Sequence, residues 1–143
     1  MSFSKNLPKY FVIAALAGGL GILAYRSYGP APEAVTVNVT IPELSPLAMQ
    51  GQQAFEANCA ACHGKNASGT NQGPPLVHDI YNPGHHGDQA FLIAVKRGAR
   101  AHHWPYGNMP AQPQVSQQEI AAIVKYVREL QVANGITYKP HRM

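Results

Sequence analysis

The sequence predicts a small all-α domain, set behind an N-terminal apolar helix and a Pro-rich linker, and three observations carry that prediction. Residues 10–25 form an uninterrupted apolar run after Lys5 and Lys9. Residues 29–47 hold Pro30, Pro32, Pro42 and Pro46 with few charges. From there to Asn134 the apolar residues recur at helical spacing, and no period-two strand pattern breaks them. With 143 residues the chain has room for one domain plus appendages.

The run from Tyr10 to Tyr25 is short of the ~20 residues a spanning helix needs, and extension to Tyr28 nearly supplies them. A cleavable export signal would end in a small-x-small site, which Tyr25-Arg26-Ser27-Tyr28 does not offer. Residues 1–28 therefore read as an uncleaved anchor, with a cleaved signal as the alternative. Lys5 and Lys9 would keep the N-terminus cytoplasmic. Ala14 and Gly18, Ala15 and Gly19, and Ala17 and Gly21 repeat small residues four apart, a spacing that admits a neighbouring helix or simply marks an Ala- and Gly-rich signal.

Residues 29–47 read as an extended linker. Within it Val35, Val37, Val39 and Ile41 alternate with Thr36, Asn38 and Thr40, which suits an arm lying on a surface as well as it suits a solvated tether. Three helices follow. The first begins between Ser45 and Met49 and places Gly51 and Phe55 on one face. The second starts at Asp88, a plausible N-cap, and carries Phe91, Leu92 and Val95 towards Gly98. In the third, Ser116 and Glu119 form a capping box, Ile120, Ile123, Val124 and Val127 form the apolar stripe, and Asn134-Gly135 ends it. Residues 135–143 are a tail.

The chemistry is concentrated in Cys59-Ala60-Ala61-Cys62-His63. This C-x-x-C-H spacing lets both thiols add to a haem's vinyl groups while His63 takes the iron. A thioredoxin-like pair would need a preceding strand and a βαβ context, whereas residues 47–58 read as helix. Zinc would need two further ligands at metal spacing, and the adjacent His63 is awkwardly placed to be one. No other cysteine exists to form a disulfide.

Charge narrows the partners. The formal net charge is +4, yet residues 49–134 hold six basic and five acidic side chains, so the domain itself lacks a nucleic-acid footprint. Lys96, Arg97 and Arg100 make a small basic cluster, either a solvated face or a greeting for an acidic partner. No nucleophile–base pair or carboxylate pair is visible, which argues against catalysis and against a small-molecule substrate.

The order of these features resembles the class I c-type cytochromes: a Gly-x-x-x-Phe helix at Gly51 and Phe55, then C-x-x-C-H, Gly73-Pro74-Pro75-Leu76, Met109-Pro110 and a C-terminal helix bearing Tyr126. The resemblance spans residues 48–134 and implies the small cytochrome c fold around one covalently attached haem c. It implies that Gly51 and Phe55 meet Ile123 and Tyr126, and that the Pro74 carbonyl accepts the Nδ1–H of His63. Of the four methionines, Met109 stands where the family's sixth ligand does, 46 residues after His63.

Under that reading Trp104 and Tyr106 pack the haem face and reach towards a propionate, with docking of a partner at the haem rim as the alternative. The resemblance also implies attachment outside the cytoplasm, hence a domain on the periplasmic side of a bacterial inner membrane, or free in the periplasm if the anchor is cleaved. The expected activity is one-electron transfer between periplasmic or membrane redox proteins. Two other readings stand beside the carrier: a fixed subunit of a membrane oxidase or dehydrogenase, and a haem sensor or peroxidase-like protein with a labile Met109. The family does not call for His78, His85, His86, His102 and His103. They are read as loop and packing residues, with replacement of Met109 or a second metal site, such as copper, as alternatives.

Overall fold

The computed structural model describes residues 3–30 and 33–140, with side chains from residue 8 onward. Five α-helices are present among them: α1 (Phe3–Tyr28), α2 (Pro46–Asn58), α3 (Ala60–His63), α4 (Asp88–Arg97) and α5 (Gln117–Ala133). Two 3₁₀ turns, Lys65–Ala67 and Asp79–Tyr81, punctuate the loops. The chain divides into two compact units, residues 1–31 and 32–143.

Helix α1 outruns the apolar stretch that announces it. Pro8–Tyr28, 21 residues, is long and apolar enough to cross a membrane, and its side chains are exposed. It therefore has no globular core of its own.

In the second unit α2 and α5 cross closely, and sequence dictates where. A Cβ on Gly51 would collide with the Ala122 carbonyl oxygen and sit 2.9 Å from the Ile123 nitrogen, so only glycine lets the two backbones meet. One turn on, the Phe55 and Tyr126 rings pack at 5.7 Å between centroids, both fully buried. The crossing expected at Gly51, Phe55, Ile123 and Tyr126 is thus present. Around it Ala48, Ile120, Val127 and Leu130 complete the core.

The helix ends follow local chemistry. Ser45 caps α2, and the Ser116–Glu119 capping box starts α5 with both reciprocal bonds formed, Glu119 N to Ser116 Oγ at 3.2 Å and Ser116 N to Glu119 Oε2 at 2.8 Å. The N-cap of α4 is Gly87 and not Asp88, which occupies the first helical turn, where a carboxylate suits the dipole, and pairs with Arg128.

Glu129 ties the two long helices together by accepting from Ser45 N at 3.0 Å and Ser45 Oγ at 2.7 Å. Burial alone would raise this carboxyl, but the Ser45 hydrogen bonds and Lys125 outweigh it and hold the group below its ordinary value. A depressed carboxylate stabilises the fold above the ordinary carboxylate range and loses that contribution as pH falls through the folded value. Glu129→Gln is therefore expected to lower the urea midpoint near neutral pH, with the gap to the parent closing in acid.

The stretch read as a linker is extended, but from Val35 onward it is bound to its own domain. Val37 N donates to Ser68 O at 2.9 Å, and Asn134 Nδ2 and Oδ1 clasp Thr40 O and Thr40 N, each at 2.8 Å. Val37, Val39 and Leu44 pack on the core. The alternating valines thus belong to an arm laid on the domain, not to a free tether. The tail is docked too: Ile136 is buried, and Lys139 pairs with Asp79 at 2.7 Å.

Candidate functional site

Helices α2 and α3 meet at Cys59, whose backbone (φ −122°, ψ −32°) breaks one helix and starts the next. Cys62 N and His63 N both donate to the Cys59 carbonyl, at 3.1 and 2.9 Å, so a single turn carries both thiols and the imidazole. Cys59 is half-buried and Cys62 exposed. Burial first, and then Cys62, push the Cys59 thiol up to about 11, far from the stabilised thiolate that a redox pair requires.

His63 is oriented by the loop that follows. Its Nδ1–H donates to the Pro74 carbonyl at 2.9 Å, the contact the family resemblance implies, which leaves Nε2 as the ring's remaining ligand atom. Burial lowers the imidazole's affinity for a proton and the Pro74 bond partly offsets this, so the ring is neutral and ready to coordinate. Pro74 is itself held by packing of Gly73 on the Cys62 backbone and by Leu76 N donating to Ala67 O at 2.9 Å.

These groups open onto a cleft of about 430 Å³ whose lining includes Phe55, Leu76, Val95 and Ile123, with Cys59, His63, Pro74, Trp104, Tyr106 and Met109 on the same walls. The volume lies within the range of cofactor pockets, roughly 300–1,000 Å³. Met109 is fixed there by a pair of backbone bonds that sequence periodicity does not reveal: Ala99 N to Met109 O at 3.0 Å and Met109 N to Ala99 O at 2.9 Å. Gly98, at φ +77°, makes that approach possible, since a Cβ there would lie 2.6 Å from the Met109 carbonyl oxygen. Gly98→Ala is expected to strain the Ala99–Met109 pairing and push the Met109 loop outward, seen as a fall of several degrees in Tm.

Trp104 and Tyr106 both line the cleft, stacked at 6.2 Å, but their polar ends differ. The Tyr106 hydroxyl accepts from Val35 N at 2.9 Å and donates to Glu33 O at 3.3 Å, so it is committed to the arm and offers the cleft only its ring. The Trp104 Nε1 is buried and completes no full hydrogen bond within the chain, although the Tyr81 hydroxyl lies close enough to interact with it weakly. A buried donor that the chain leaves unmatched is what a propionate carboxylate would complete. With two thiols, a neutral imidazole and a thioether on an apolar wall, the residues fit a haem.

The cytochrome c family model matches residues 48–131, 84 of 143. The chain belongs to the cytochrome c family. Membership in this family brings the chain a covalently bound haem c. Among curated proteins it is similar to the cbb3-type cytochrome c oxidase subunit CcoP of Rhodobacter capsulatus, with 38% identity over 88 residues, 58% of this chain and 29% of that one. It is also similar to the subunit FixP of Azorhizobium caulinodans, with 35% identity over 92 residues, 62% of this chain and 29% of the relative. This cytochrome therefore spans about three tenths of the length of those relatives. No solved structure matches it significantly.

Two residues that the sequence reading passed over organise one side of the cytochrome's cleft. Arg128 Nη1 donates to Tyr81 O at 2.7 Å, Nη2 to His86 O at 2.6 Å and Nε to Asp88 at 2.8 Å, and its guanidinium lies 4.9 Å from the Phe91 ring centre. Gln131, fully buried, donates to Leu76 O at 2.8 Å and Tyr81 O at 3.1 Å. Their signal was present as two polar residues three apart beside the apolar stripe of α5. The histidines divide as well. His78 Nδ1 accepts from Ile80 N at 3.2 Å and its ring sits 5.1 Å from Trp104, a packing role, whereas His85, His86, His102 and His103 gather in one cluster.

Proposed function

We propose that this chain carries a single haem c on Cys59 and Cys62, with His63 and Met109 as axial ligands, and serves as the one-electron relay of a membrane-bound respiratory assembly. When bound, the haem supplies a one-electron Fe(II)/Fe(III) couple. The chain's part is to fix both ligands and keep water from the cleft. The observation that carries the reading is the convergence on one apolar cleft of a His63 locked through Pro74 and a Met109 locked through Ala99. A thioether favours reduced iron, so this pair belongs to a carrier of relatively high potential.

Helix α1 supports anchoring in a bacterial inner membrane, with Lys5 and Lys9 on the cytoplasmic side and residues 48–134 in the periplasm. The similarity to CcoP and FixP favours a fixed oxidase-type subunit over a freely diffusing shuttle, and the arm bound to the domain points the same way by removing most of the free tether. Native membranes solubilised in mild detergent and separated without denaturation test this, with the chain followed by its covalent haem. Comigration with a large assembly is expected. Migration near the chain's own mass would make it a shuttle, and recovery in the soluble periplasmic fraction would show that the anchor is cleaved.

A further inference from the structure

The loops on either side of α4 bring four imidazoles together. His85 Nε2 lies 3.2 Å from His103 Nε2, and His86 Nε2 lies 3.4 Å from His102 Nε2. Ligand nitrogens of His85, His86 and His103 all fall within 4.8 Å of one another, and His102 joins them through His86. The sequence places these rings as two adjacent pairs, His85-His86 and His102-His103, 16 positions apart from second to first.

Hydrogen bonding fixes the state of two of the rings. His86 Nδ1 lies 2.8 Å from Ile80 O, and His102 Nδ1 lies 2.6 Å from Arg100 O. A carbonyl oxygen can only accept, so both Nδ1 atoms carry the proton and, in the neutral ring, both Nε2 atoms present lone pairs. Those lone pairs face each other at 3.4 Å with no hydrogen between them. Such a contact is repulsive unless a cation joins it. Either a proton or a metal ion meets that requirement. Anchoring Nδ1 to a backbone carbonyl is also how metal-binding histidines are held, because it sets the tautomer and aims Nε2.

We propose that His85, His86, His102 and His103 form a second metal site at the rim of the haem cleft, binding one divalent transition-metal ion of the zinc type in tetrahedral geometry. At a metal–nitrogen distance of about 2.05 Å, a tetrahedron has edges of about 3.3 Å and a square plane has cis edges of about 2.9 Å. The two closest edges, 3.2 and 3.4 Å, are near the tetrahedral value, whereas His85, His86 and His103 spread over as much as 4.8 Å and His102 lies outside that set, so the rings must close in on the ion when it binds. Four neutral nitrogen ligands without thiolate or carboxylate suit zinc, copper or nickel and not magnesium or calcium. Arg128, which donates to the His86 carbonyl, is already paired with Asp88 at 2.8 Å. His86, His102 and His103 also line the cleft that holds Met109 and Trp104, which places the ion next to the haem without making it a haem ligand.

The test uses the full haem-loaded chain in detergent, without a histidine tag, stripped by chelation and dialysed against zinc, with metal per haem counted by mass spectrometry. One zinc per chain is expected. His102→Gln and His103→Gln, both at exposed positions, should each weaken zinc binding by ~tenfold or more, while the haem absorption spectrum stays unchanged. A parallel dialysis against copper(II) should show tighter retention by the parent, following the general order of divalent affinities. Zinc content well below one per chain, or content insensitive to both substitutions, would overturn the site. A haem spectrum altered by the substitutions would overturn it too, because the imidazoles would then be serving the iron; an unchanged spectrum without zinc leaves the haem assignment standing and removes only this site.

Discussion

Met109→Ala should lower the midpoint potential by on the order of 0.2 V, a sizeable part of the ~0.8 V over which axial ligands tune haem iron. The sign follows from the ligand's softness: a thioether stabilises Fe(II) relative to Fe(III), and water or an empty position does not. The protein should survive the change, because the Ala99–Met109 bonds are made by backbone atoms that alanine retains. Potentiometric titration reads the shift. The same variant should bind carbon monoxide when reduced, which the parent should resist. An unchanged midpoint would remove Met109 from the coordination sphere, and rapid binding by the parent would favour the sensor reading with a labile distal ligand.

Gly51→Leu is expected to be the most damaging single change in the domain. The new side chain would have to enter the place where α2 touches the Ala122 carbonyl and Ile123 nitrogen, and neither is a flexible side chain that can swing aside. Overpacking of this kind costs about 3 kcal/mol or more. In a domain of this size that corresponds to a fall of roughly 15 °C in Tm. Gln50→Leu, one residue earlier on the exposed face of the same helix, is the control and should melt like the parent. Calorimetry of the haem-loaded proteins separates the two, and equal melting temperatures would show that the crossing is not at Gly51.

The parts of the molecule legible in sequence are those fixed by short-range chemistry. C-x-x-C-H, the Ser116–Glu119 box, the Gly51–Phe55 face and the Pro74–His63 contact depend on residues a few positions apart or on a family order, and each has its expected place in the structure. What escaped depends on contacts between distant segments. The Ala99–Met109 bridge gives no periodic signal because it is a single pair. The Tyr106 hydroxyl was turned from the cleft by Val35, 71 positions away, which no local pattern encodes. Arg128 gave no local signal, since three of its four acceptors, on Tyr81, His86 and Asp88, lie 40 or more residues back. The histidines were visible as residues but not as a cluster, because their meeting depends on how α4 folds the two loops towards each other.

The central claim is one haem held covalently by Cys59 and Cys62, and intact mass spectrometry of the denatured protein tests it most directly. The expected result is the chain plus one haem, retained after acid and organic extraction, with digestion placing the added mass on a peptide that contains Cys59 and Cys62. The bare chain mass, or a haem that extraction removes, would contradict the account.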